Sequence, residues 1–408
     1  MAKSEILAPS RDRQRRLLGA ALAGPALFGA AAVAGGLLLP GAVSTPAVAE
    51  ASKAKLPAPP AGGVMGFVVD TFVPAMLEGT DACPEGPAMK MRDAYLATLP
   101  AAERERLMLP VNQEELKKKW QATGFGPGET NVCSQPERFD RPMLRTVQSK
   151  RAIGVDLDGD GLVKSCEHQS FVGPGGEQGI DNQAYRALGC KLEWRGADGR
   201  KSDNSVGMRQ FFASGEWTQV ILLRGVDSLE NDGEVEVIYG NTPDRPMTDS
   251  KGRFLPGASF AMSDTLPRHR NVLKGRIVGG VLTTYPADIV LTQTWGQGGA
   301  RDIRGNRTTF DMRSGRIKLA FQPDGSMRGV LGGYQPVFDL IQSPALGGGG
   351  AVVDGGIDCA AELKTLKALA DGIPDPKTGK CTAVSNAFEV SAVPAFVNDV
   401  PPTRTAAQ

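Results

Sequence analysis

Residues 217–240 read WTQVILLRGVDSLENDGEVEVIYG. Two runs rich in β-branched and aromatic residues, Trp217 to Val226 and Glu234 to Gly240, flank a polar link whose Asp232-Gly233 pair is a turn signal. The same style continues C-terminally. GRIVGGVLTTY (275–285), ADIVLTQTW (287–295), RTTFDM (307–312), GRIKLAF (315–321) and MRGVLGGY (327–334) follow at short spacing, with QPDGS (322–326) as a further turn. Short strands at near-regular intervals predict an antiparallel β-sandwich or barrel over 205–340. No strand–helix alternation of a parallel sheet is visible.

Upstream, the period changes. GPAMKMRDAYLATL, PAAERERLMLP and VNQEELKKKWQATG space their apolar residues three or four apart among charges, which predicts amphipathic helices. Residues 64–204 are therefore expected to form a mainly helical unit. Downstream, SPALGGGGAVVDGG marks a glycine-rich hinge at 341–358, and CAAELKTLKALADG predicts one helix in a small C-terminal helical unit, 359–396, ahead of a disordered tail at 397–408. The predicted class is α+β.

The first 49 residues stand apart. Arg11, Arg13, Arg15 and Arg16 precede the uncharged run LLGAALAGPALFGAAAVAGGLLL, and small residues at Ala47 and Ala49 close it. Basic, apolar and small-residue segments in that order predict a secretory signal cut after Ala49. The Arg15-Arg16 pair resembles a twin-arginine signal, although Gln14 departs from that motif. Residues 17–39 are also long enough for an uncleaved membrane anchor. A Pro/Ala-rich linker occupies 50–63. Losing five basic and two acidic side chains with the leader turns the net charge of +1 into −2, which leaves no electrostatic footprint for nucleic acid. Export also makes the six cysteines, Cys83, Cys133, Cys166, Cys190, Cys359 and Cys381, a set of three disulfides. Six cysteines allow about 15 pairings, and joining sequence neighbours (83 with 133, 166 with 190, 359 with 381) is the simplest.

Residues 154–171, GVDLDGDGLVKSCEHQSF, carry the chemistry. Asp156, Asp158 and Asp160 alternate ahead of Gly161 and Leu162, and Glu167 stands at the twelfth position. This spacing resembles an EF-hand calcium loop, and the Cys166-Glu167 ending resembles the extracellular excalibur type. The resemblance implies calcium held by the carboxylates of Asp156, Asp158, Asp160 and Glu167 and by the Leu162 carbonyl. Lys164 at the ninth position implies a weak site, nearer ~10⁻⁴ to 10⁻³ M than a sensor. GPGGEQG follows too closely for an exiting helix, so the expected role is structural. Asp181 and Asn182, in GIDNQAYRALGC, would either add an outer contact or cap the helix that starts there.

Catalytic constellations are missing. Two histidines, His168 and His269, leave no multi-histidine zinc site. His269 with Ser263 and Asp264 lies in one short loop, whereas triad members come from separate segments. Glu234 and Glu236 share one face of a strand and read as its polar side before they read as a glycosidase pair. Trp217, Tyr239, Tyr285 and Trp295 are core aromatics or, alternatively, a sugar-stacking platform. The expected function is an exported calcium-binding protein with a structural or ligand-binding role at the bacterial envelope, periplasmic or secreted. Its partner would be a glycan or an envelope protein, with no membrane contact after cleavage. The alternative is a secreted or periplasmic hydrolase acting on a glycan or ester.

Overall fold

The chain's computed structural model describes residues 55–77, 82–128, 130–159, 164–166, 168–196, 203–262, 270–292, 309–345 and 356–399. The leader, Ser263, Asp264, His269 and Trp295 lie outside them. The chain enters through β1 (Met65–Pro74), then α1 (Met91–Ala97), α2 (Ala101–Met108) and α3 (Gln113–Ala122). After the acidic loop come the two-residue strands β2 (Lys164–Ser165) and β3 (His168–Gln169), then α4 (Gln183–Leu188), α5 (Leu192–Arg195) and α6 (Asp203–Ser214). The strand region supplies β4 (Gln219–Arg224), β5 (Asn231–Asn241), β6 (Ser259–Ala261), β7 (Asn271–Val278), β8 (Val281–Thr284), β9 (Ala287–Thr292), β10 (Thr309–Phe321) and β11 (Met327–Pro336). The chain ends with α7 (Val337–Ala345), α8 (Cys359–Ala368), β12 (Gly372–Pro374) and β13 (Cys381–Asn398).

Eight of these strands close on themselves in the order β1-β4-β5-β7-β8-β10-β11-β13, and β13 returns to pair with β1. Every pairing in the ring is antiparallel. Closure removes the edges that an open sheet would have to protect. The alternation is clearest in β7, where Asn271, Leu273, Gly275 and Ile277 are turned inward and Val272, Lys274, Arg276 and Val278 outward. The interior is packed. Phe72 stacks on Phe388 with ring centroids 4.7 Å apart and meets Trp217 and Phe310 edge-on at 5.4 Å each.

Two segments depart from the sequence expectation. Residues 65–74, placed in the mainly helical unit, form β1, and residues 381–398, placed in a C-terminal helical unit, form the longest strand, β13. Both are needed to close the ring. In β13 the stretch from Ala383 to Phe388 is buried without a break, because one face looks into the barrel and the other lies under helices. A doubly covered strand loses the alternation that would reveal it. Pro394 falls beyond the last β11 pair, at Ala392, where β11 makes no demand for its missing N–H. The predicted helices form as expected, α1 to α4 and α8, but the segment from 64 to 204 is mixed rather than mainly helical.

Nor do the helices form units of their own. One apolar cluster unites Met91 of α1, Leu116 and Trp120 of α3, Ala184 and Leu188 of α4, Val337 of α7, Leu363 and Leu366 of α8, and Val384 of β13. The disulfides cross the same ground, joining Cys83 to Cys190, Cys133 to Cys359 and Cys166 to Cys381. Sequence-neighbour pairing is therefore wrong in all three cases. The N-terminal helices fold back onto the C-terminal helix and strand, so the nearest cysteines in space are 107, 226 and 215 positions apart.

Candidate metal centre

The acidic loop lies against the outer wall of the barrel. Ile153, Val155 and Leu157 point into a small apolar cluster with Ala75 of the β1 end, Val330 of β11 and Ala387 of β13. Gly332 makes this approach possible, since a Cβ there would come within 2.3 Å of the Val155 side chain. Alternation then sends Asp156 and Asp158 the other way. The Gly159 N–H donates to Asp156 Oδ1 at 2.6 Å and tightens the turn. Arg316 of β10 donates to the Asp156 carbonyl at 2.7 Å and fixes the loop to the wall.

Asp181 completes the arrangement from a distance. It pairs with Val155 through an isolated antiparallel bridge, its N–H donating to the Val155 carbonyl at 3.0 Å. Its carboxylate accepts from the Leu157 N–H at 2.8 Å and is buried. Carboxylate oxygens of Asp156, Asp158 and Asp181 all lie within 4.8 Å of one another. Ligands at the 2.3–2.6 Å typical of calcium are separated by no more than about twice that distance, so one cation fits among the three. The donors are all hard oxygens, which suits calcium or magnesium better than zinc or copper.

Burial pushes the Asp181 carboxyl up to about 7, against the pull of the Leu157 N–H and with help from the nearby charges of Asp158, Asp371 and Asp156. Asp371, just beyond α8, is also buried and raised to about 6, chiefly by burial. It is held by Ser385, whose N–H and hydroxyl both donate to it at 2.6 Å. Keeping Asp181 charged without a counter-ion costs about 4 kcal/mol by the usual conversion. A cation among the three carboxylates would remove most of that cost.

Of the residues expected to hold calcium, Asp156 and Asp158 are brought together. Asp160, Leu162 and Glu167 lie outside the described residues. The strands β2 and β3 occupy the place where an EF-hand would have its exiting helix, and Cys166 between them is bonded to Cys381 at the start of β13. Asp181 and Asn182 take different roles. Asn182 caps α4, accepting from the Tyr185 N–H at 3.1 Å, and its amide donates to the carbonyls of Ile153 and Ala75. Asp371 is a residue that sequence reasoning passed over. Its only signal was a position at a helix end beside Gly372.

The other candidates resolve into structure. Glu234 pairs with Lys274 at 3.0 Å and Glu236 with Arg224 at 3.4 Å, both on the outer barrel wall. Trp217 and Tyr239 are buried in the barrel core, and the Tyr239 hydroxyl donates to Gln219. Tyr285 is exposed. His168 sits half-buried on β3.

Comparison with known proteins gives little further. No protein-family model matches the chain, and no solved structure matches it. A segment of 84 residues is 33% identical to the nicotinate-nucleotide–dimethylbenzimidazole phosphoribosyltransferase of Xanthomonas euvesicatoria pv. vesicatoria (strain 85-10). That segment is 20% of this chain and 21% of that enzyme, so the chain spans about a fifth of the curated relative it matches. What stands from geometry is a closed antiparallel barrel with helices outside it, three disulfides that indicate an oxidising compartment, and an all-oxygen carboxylate cluster on the wall. Among the described residues no helix is long and apolar enough to cross a membrane.

Proposed function

We propose that this chain is an exported bacterial envelope protein, periplasmic or secreted, that works by binding, and that calcium stabilises its acidic loop. The observation that carries the calcium reading is the convergence of Asp156, Asp158 and Asp181 around a point one cation could fill. The EF-hand-like spacing of Asp156 to Glu167 supports it independently. The ion has a structural role. It neutralises carboxylates that the fold holds together and ties residues 154–159 to the segment entering α4, while the Cys166–Cys381 bond ties the far end of the loop to β13. No helix pair opens on binding, because strands follow the loop. The twin-arginine-like leader and the three disulfides support export. No observation among the described residues favours the hydrolase alternative.

Calorimetric titration of the purified chain with calcium tests this directly. The expected result is one ion per chain with a dissociation constant near ~10⁻⁴ to 10⁻³ M, abolished by Asp158→Ala, and a melting temperature that falls in chelator. Absence of both heat and thermal shift up to several-fold above ~10⁻³ M calcium would remove calcium from the account.

A further inference from the structure

At the end of the barrel where β11 and β13 run past the other strands, a cavity of about 260 Å³ opens between the barrel mouth and helices α5 to α8. It is near the lower limit of ligand pockets, roughly 300–1,000 Å³. Trp217, Phe310 and Phe388 form its floor, an aromatic group whose members meet one another edge-on. Above them stands Gln335 of β11, only 6% exposed. Its Oε1 accepts from Asn386 at 2.5 Å, and its Nε2 meets no partner among the described residues. An amide donor that reaches an open cavity is placed to give a hydrogen bond to an acceptor on a bound molecule.

The described part of the wall carries more acidic than basic side chains. Among the described residues, Glu193, Asp311, Asp339 and Glu362 line the cavity together with one cation, Lys191. Lys191 is already engaged by Glu362, Glu193 by Lys90 and Asp311 by Arg313. Asp339, in the first turn of α7, has no hydrogen bond or ion pair among the described residues. Although the residue as a whole is exposed, crowding of its carboxyl against the wall, reinforced by the charge of Asp311 and opposed by that of Arg313, holds it above the usual range. A positive charge arriving beside it would relieve that penalty, and aromatic faces below favour a cation as well.

The geometry points to this cavity as a binding site for a small organic cation: a protonated amine on an aromatic body, with the amine at Asp339, the body on Trp217, Phe310 and Phe388, and an oxygen on the body accepting from Gln335. This deepens the binding reading of the protein and is independent of calcium.

Three probes of one shape separate the terms: tyramine with an ammonium group, para-ethylphenol with none, and phloretate with a carboxylate. Each is titrated calorimetrically into the full chain, in calcium and again in chelator. Tyramine should bind saturably and about tenfold or more tighter than para-ethylphenol, the equivalent of ~1.4 kcal/mol, with phloretate weakest. Asp339→Asn should erase the preference for tyramine while leaving para-ethylphenol unchanged, and Gln335→Leu should weaken both phenols. Asp339 is exposed, so its variant should melt as the parent does. Equal binding of tyramine and para-ethylphenol, tighter binding of phloretate, an Asp339→Asn variant with unchanged preference, or no saturable heat from any probe would each overturn the inference. A calcium titration that fails while tyramine binds would count against the calcium reading alone, and the reverse against the cavity alone.

Discussion

Phe72 and Asp181 are both almost sealed from water, yet they are buried on opposite principles. Phe72 sits at the end of the barrel interior among four other aromatic rings, where burial itself is the stabilising force. Asp181 sits on the outer wall among carboxylates, where burial is a penalty that needs a hydrogen bond from Leu157 and, in our proposal, a cation to offset it. The interior is thus stable by composition, and the outer layer by constraint. The three disulfides fall accordingly: none joins two strands of the ring, and all tie outer-layer segments to one another or to β13.

The comparison is broken most severely at the Cys133–Cys359 bond. Its removal by paired Cys→Ser substitution opens a ring whose ends are 226 positions apart but which the Cys166–Cys381 bond already shortens, and should cost about 4–5 kcal/mol on the chain-entropy view. Urea denaturation should show the helices α1 to α3 melting ahead of the barrel; a single concerted transition at the parental midpoint would show that the outer layer does not depend on constraint. Next in size is Phe72→Ala, which removes a ring from the aromatic cluster and should cost about 3–5 kcal/mol. Both layers should then unfold together, because the barrel is the platform on which the outer layer rests.

The smallest effect sharpens the contrast by pH. In chelator, folded Asp181 titrates near 7 while its ordinary value is 3.8, so between those values the folded chain holds a proton that the unfolded chain has released. Stability contributed by that proton is full below about pH 4 and is lost as the pH rises through 7. Asp371, raised to about 6, acts in the same direction. The melting temperature in chelator should therefore fall between pH 5 and 8, by the equivalent of roughly 2–4 kcal/mol. Asp181→Asn should flatten that fall, and saturating calcium should do so as well. A profile that rises with pH in chelator would contradict the buried-carboxylate account.

Legibility in the sequence followed local physics. Strands β7 and β10 were readable because their residues alternate between a packed interior and solvent, and β5 and β11 because β-rich runs stand between turn signals. The helices α1 to α3 were readable from their period, and α8 from its period and from Gly372 beyond its end. β1 and β13 were not, since cover on both faces erases alternation, and their assignment to helical units followed from their neighbours. Two of the three carboxylates in the metal cluster were legible, Asp156 and Asp158. Asp181, 23 residues beyond Asp158, could be read as an outer contact or as a cap, and its neighbour Asn182 is the residue that caps α4.

By itself, then, the sequence determined the class of the chain, a disulfide-bonded mixture of helices and antiparallel strands with an oxygen-rich loop, since composition, period and spacing are local properties. Tertiary structure decided the rest. Whether the strands close into a ring, which cysteines meet, and which third carboxylate joins Asp156 and Asp158 depend on contacts more than a hundred residues apart in most cases. Such contacts are set by how faces cover one another, and no short window of sequence contains both faces.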